Sequence, residues 1–100
     1  MANVIKERDA RIMAAATECA MDAGFQWITR EEVAARAGVS VGTVNTAYGT
    51  MNELKRAVLR RAVETENLVI VAQGLADGHE IARAAPAHVR AAAAAHIAGG

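Results

Sequence analysis

The run Val41-Gly-Thr-Val-Asn-Thr carries small polar groups at spacings that gather them on one side of a helix. With Val44 and Ala47 inward, the 3.6-residue period turns Val41, Gly42, Thr43, Asn45 and Thr46 outward. That side offers an amide, two hydroxyls, branched methyls and no charge. An amide accepts and donates at once, as the edge of adenine requires, and methyls of Val41 or the threonines suit the thymine methyl. Gly42 removes a side chain where a backbone must come close. The chemistry on offer is the reading of base-pair edges in a major groove. Other chemistry is thin. His79, His88 and His96 have no cysteine partners and no metal-ligand spacing. Glu31 and Glu32 read as an acid pair at a helix start, and neither a glycine-rich phosphate loop nor a nucleophile motif occurs. No enzyme, cofactor or metal is expected.

Such a surface needs elements that hold it in place. Thr29, followed by Arg30, Glu31 and Glu32, reads as a helix start. A hydroxyl caps, acids meet the positive end of the dipole, and Glu32 stands at the capping-box spacing. Val33, Ala34 and Ala37 face inward, and Gly38 stops the helix with a left-handed backbone. Val39 and Ser40 make a tight turn, Ser40 caps a second helix of roughly Val41 to Tyr48, and Gly49 breaks it. Two helices crossing steeply need a small residue at the crossing, here Ala34. They also need apolar inward positions, here Val33, Ala37, Val39, Val44 and Ala47. Residues 30–49 therefore read as a helix-turn-helix.

Upstream, Ile12, Ala16, Cys19, Ala20 and Ala23 recur at helical steps, predicting an amphipathic helix from about Ile5 to Ala23 that ends at a left-handed Gly24. Phe25, Trp27 and Ile28 are expected to pack between that helix and the next two. Downstream, Leu54, Val58, Leu59, Ala62 and Val63 form a stripe on a long helix from Met51 to about Gln73. Leu68, Val69, Ile70 and Val71 are apolar almost all round and must be buried; a second copy of the chain is the expected cover. Gly74, Asp77–Gly78 and Pro86 read as breaks. An alanine-rich helix follows from about Pro86 to Ile97, and Gly99 and Gly100 are expected to fray. The fold class is all-α: a helix-turn-helix region over residues 1–50 and a helical dimerisation region over 51–98, together one compact domain.

Composition agrees with this plan. Of the 100 residues, 53% are hydrophobic, but many are alanine, which favours helix and buries little area. A thin core of this kind calls for a dimer interface. Net charge is zero, whereas many nucleic-acid binders are basic, so placement has to do what the total does not. Between Val33 and Asn52 the only charged residue is Arg36, and basic residues cluster as Lys6, Arg8 and Arg11 and as Lys55, Arg56, Arg60 and Arg61. The lone Cys19 fits a buried core position and a reducing compartment. No apolar run approaches the ~20 residues that span a bilayer, and no signal-peptide pattern opens the chain. A cytoplasmic protein without membrane contact is expected.

The stretch Thr29-Arg-Glu-Glu-Val-Ala-Ala-Arg-Ala-Gly-Val-Ser-Val-Gly-Thr-Val resembles the N-terminal DNA-binding domain of the TetR family of repressors. The resemblance extends upstream to Arg11-Ile-Met-Ala-Ala-Ala and Gly24, and downstream to Tyr48, Glu53-Leu54 and Ala57-Val58, covering roughly residues 8–63. Val33 to Gly49 is also similar to the LacI motif. That family lacks the long preceding helix, and its motif leads into a hinge. The TetR resemblance implies a three-helix DNA-binding domain, with Thr29 and Arg30 on phosphates, Val41, Gly42, Thr43 and Thr46 near bases, and Tyr48 closing the domain. Asn45 stands where the family usually has tyrosine and Met51 where it usually has lysine, both commonly phosphate contacts. The expected set is accordingly Val41, Gly42, Thr43, Asn45 and Thr46 near bases, and Thr29, Arg30, Ser40, Tyr48, Asn52 and Lys55 on the DNA backbone.

The expected function is a homodimeric repressor of a palindromic operator, with half-sites about one turn (~34 Å) apart. Only residues 64–100 follow Val63, too few to enclose the usual ligand pocket. No small-molecule inducer is therefore expected. Control would come through protein level, autorepression or a protein partner, in the style of phage or plasmid regulators. A reading from another class is a helical interaction module, such as an antirepressor that sequesters a partner. A third is an architectural DNA binder indifferent to sequence.

Overall fold

A computed structural model describes the backbone of residues 2–98 and the side chains of 5–97; Gly99 and Gly100, expected to fray, lie outside the described residues. The described residues form seven α-helices and no strand: α1 (Ala2–Ala23), α2 (Arg30–Ala37), α3 (Val41–Tyr48), α4 (Met51–Glu64), α5 (Leu68–Ala76), α6 (Glu80–Arg83) and α7 (Ala87–Ala98). A single 3-10 turn, Phe25–Trp27, follows α1. The chain divides into two compact units between Lys55 and Arg56.

In the first unit α1 packs on α2 and on the 3-10 turn, and α2 packs on α3. Ile12, Ala16, Cys19 and Ala20 are buried as their spacing predicts, with Val33, Ala34, Ala37, Val44 and Leu54. Ala23, expected on the same stripe, is exposed as the last residue of the helix. Gly24 ends α1 with φ 101° and ψ 143°, outside the left-handed helical region expected of it. The apolar connector is divided in use. Phe25 and Ile28 are buried, whereas Trp27 is 72% exposed. At three residues per turn, side chains three apart share a side, so burying Phe25 and Ile28 sends Trp27 outward.

In the second unit α5 packs on α7 and α6. The expected helix from Met51 to Gln73 is two helices, α4 and α5. After Glu64 the chain closes a Schellman turn: Asn67 N–H donates to the Ala62 carbonyl (2.8 Å) and Glu66 N–H to that of Val63 (3.2 Å). Glu66 is left-handed at φ 53°, and the Asn67 side chain then caps α5 by accepting from Ile70 N–H (3.3 Å). Gly74, read as a break, lies inside α5. A Cβ there would come within 2.9 Å of Ala82 Cβ and of Leu59 Cδ1, so glycine here admits a close approach between helices. Ile70 and Val71, expected to meet a second copy, are fully buried within the single chain, together with Val58, Leu59, Ala82 and Ala93. The chain itself supplies the cover at those two positions. Leu68 and Val69 remain half-buried. The one-turn helix α6 was not foreseen. His79 Nδ1 starts it by accepting from Ile81 N–H (3.1 Å), and the Arg56 guanidinium pairs with its Glu80 carboxylate.

Candidate nucleic-acid interface

The helix-turn-helix is built from its caps. Thr29 is extended, and its hydroxyl accepts from Glu32 N–H (3.2 Å), satisfying one of the open donors of the first turn. Gly38, at φ 71° and ψ 35°, lets Val39 N–H reach the Ala34 carbonyl (3.0 Å) while its own N–H reaches that of Ala35 (3.3 Å). The chain thus turns within two residues into Ser40, whose Oγ accepts from Thr43 N–H (3.1 Å). The same Oγ lies 2.9 Å from Thr43 Oγ1, so cap and hydroxyl form one linked group.

Val44 is fixed inward at 1% exposure, with Val39 and Ala47 half-buried beside it in the sequence pattern. Gly42, Asn45 and Thr46 are exposed, and Val41 and Thr43 half-exposed. The five positions expected to face outward therefore do so, in two grades. Thr46 Oγ1 donates to the Gly42 carbonyl (2.9 Å). Arg30 and Asn45, one expected on phosphate and the other on bases, are brought together: the guanidinium donates to Asn45 Oδ1 (3.1 Å). The start of α2 and the outward side of α3 thus share a face. Tyr48 donates its hydroxyl to the Asp9 carbonyl (2.9 Å), tying the end of α3 to α1. Thr50 caps α4 through Glu53 N–H (3.2 Å) and leaves Asn52 exposed in the first turn. Lys55 Nζ donates to the Gln26 carbonyl (3.1 Å).

Arg36, the one charge between Val33 and Asn52, takes a part that spacing alone did not reveal. Its Nη1 contacts Asp22 (2.6 Å) and Glu18 (3.3 Å) on α1, and its Nε contacts Glu32 (3.0 Å) one turn back on α2. Glu32, read as half of a capping box, thus directs its carboxylate to Arg36. The hydrogen bonds to Asp22 and then to Glu32 push the guanidinium pKa still higher than usual. The i, i+4 spacing of Glu32 and Arg36, and of Glu18 and Asp22, was visible in the chain. That the two pairs converge depends on how α1 crosses α2. Near this cluster the Cys19 thiol is buried, and its burial pushes its pKa up.

Residues 12–58 match the sequence profile of bacterial regulatory proteins of the tetR family. This segment is a TetR-family helix-turn-helix domain. The TetR match begins at Ile12, a fully buried residue of α1, and ends at Val58 in α4, so it takes in every contact between the 3-10 turn, α2 and α3 described above. No curated protein and no solved structure matches the chain. The match supports a DNA-binding transcriptional regulator, and members of the tetR family generally bind DNA as dimers. Among the described residues no helix is long and apolar enough to cross a membrane. Nor do three or more His, Cys, Asp or Glu side chains gather there as metal ligands.

Proposed function

We propose that the protein is a homodimeric repressor that reads a palindromic operator with the outward side of α3, and that it works without a small-molecule inducer. The observation that carries this reading is the composition of that side: Val41, Gly42, Thr43, Asn45 and Thr46 stand outward without a carboxylate among them. Asn45 is the principal reader. Its Oδ1 has a second lone pair beyond the one given to Arg30, and its NH2 donates, so the N6 donor and the N7 acceptor on an adenine's major-groove edge can both be met. Thr46 returns its hydroxyl to the helix and offers its methyl to thymine.

Thr29, Arg30, Ser40, Asn52 and Lys55 supply the grip on phosphates. Tyr48 serves that grip by holding α3 against α1. Leu68 and Val69, half-buried in one chain, are the part of the apolar run left for a second copy. Action without an inducer fits the close packing around Gly74, where even a methyl would meet Ala82 and Leu59. The cavity of about 450 Å³ beside Leu75, Glu80, Arg83, Ala84 and Arg90 opens to solvent.

The test is a fluorescence-anisotropy titration against DNA from upstream of its own gene and against random duplex, at two salt concentrations. Tighter operator binding with a log–log salt slope of several units is expected. Asn45→Ala should reduce the preference for operator over random DNA by about 1–3 kcal/mol, while Arg30→Ala should weaken both alike. No binding to any duplex in dilute buffer would refute the reading and leave the interaction-module alternative standing.

A further inference from the structure

Trp27 is the chain's one tryptophan, and it is 72% exposed. An indole left in water forgoes the burial of one of the largest apolar surfaces a residue has, and tryptophan is strongly enriched where molecules meet. The exposure is held in place from several sides. Phe25 and Ile28, on either side of Trp27 in the chain, are 2% and 4% exposed and anchor the backbone. Trp27 N–H donates to the Gly24 carbonyl (3.0 Å), and Lys55 Nζ to that of Gln26 (3.1 Å). Ile28 leads directly to the Thr29 cap and to Arg30, whose guanidinium reaches Asn45 on the outward side of α3. The backbone that bears the exposed ring therefore leads within three residues to Arg30 and so to the reading surface, with a cation at Lys55 on the preceding carbonyl and another at Arg30.

We propose that Trp27 is a DNA-backbone contact at the margin of that surface, its ring laid on the sugar-phosphate strand and its indole N–H donated to a phosphate oxygen. The inference rests on the reading of α3 given above and extends the grip beyond the residues assigned there. Lys55 and Arg30 provide the attraction to the polyanion. Trp27 adds apolar contact and one donor, a combination that positions a protein on the duplex without selecting sequence.

The experiment uses the intact chain, because a single tryptophan makes its own emission specific for this site. Acrylamide quenching is measured with and without a fluorescein-labelled random-sequence duplex at low ionic strength, with label anisotropy reporting binding independently. Loss of quencher access on binding is expected, and Trp27→Ala should weaken binding about tenfold on operator and random duplex alike. Trp27→Phe, which keeps the apolar face and loses the donor, should fall between. Circular dichroism confirms that the variants fold. Binding with the ring still fully accessible and affinity unchanged in Trp27→Ala overturns the inference and leaves the repressor reading intact. Absence of binding to any duplex overturns both. Protection that grows with protein concentration in the absence of DNA overturns the inference too, assigning the ring to contact between copies of the chain.

Discussion

Replacing Gly74 with alanine sets two physical effects of opposite sign against each other. In an exposed helix interior the change stabilises by about 1 kcal/mol, because glycine loses more backbone freedom on folding. At Gly74 the added methyl would lie 2.9 Å from Ala82 Cβ and 2.9 and 3.1 Å from the two Leu59 methyls. Carbon atoms prefer about 3.5–4.0 Å, so the neighbours must retreat by roughly 0.5–1 Å. Ala82 Cβ is fixed to its backbone and cannot rotate away. Leu59 is fully buried and has little room to swing. Overpacking of this kind costs about 1–3 kcal/mol, which exceeds the gain from helix propensity. Gly74→Ala should therefore lose about 1 kcal/mol net, lowering Tm by about 4–8 °C in a domain of this size. Urea unfolding followed by circular dichroism gives the free energy directly. The same change made in an Ala82→Gly background should cost less, since one of the close contacts has been removed. A Gly74→Ala variant more stable than the parent would refute the reasoning and return Gly74 to the status of an ordinary helical glycine.

Two further outcomes follow from single residues. Glu66 is left-handed without being glycine, so Glu66→Gly should stabilise the chain by about 1 kcal/mol. Glu66→Ala, which keeps the strain, should give no such gain, and equal unfolding midpoints for the two variants would contradict the account. Burial raises the Cys19 pKa above its ordinary 9.0, so the protonated thiol is the folded form's preference. Its contribution to stability is complete below the unfolded pKa and lost as pH climbs through the higher folded value, in the alkaline range. Ellman's reagent at neutral pH should react slowly with the native chain and rapidly in denaturant. Equal rates would show the thiol to be accessible.

The elements bearing the site were legible because their signals are local. Thr29 and Ser40 announce caps, Gly38 a left-handed turn, and Val44 an inward position; each acts on neighbours within four residues. The apolar stripe of α1 was legible for the same reason. What local rules missed was decided by residues distant in the chain. Gly74 looked like a break because glycine usually is one, yet Leu59 and Ala82 require the space. Nothing in the run Glu64–Asn67 contains glycine or proline, so the turn there, made by Glu66 in a costly conformation and Asn67 as a cap, left no punctuation to read. Ile70 and Val71 were correctly read as needing cover. Only the packing shows that α5 obtains it within its own chain. Trp27 was grouped with Phe25 and Ile28 by hydrophobicity, while the three-residue pitch of the turn separates them.

The cluster at Arg36 bears on how a molecule of zero net charge can meet a polyanion. Glu18, Asp22 and Glu32 crowd around one guanidinium at the crossing of α1 and α2, a local excess of negative charge, while Val41 to Tyr48 carries none. Segregation of this sort gives a neutral body an electric moment. In the field of a duplex such a moment experiences a torque even where the net pull vanishes, so acids gathered on α1 and α2 rather than on α3 help decide which way the protein faces on arrival.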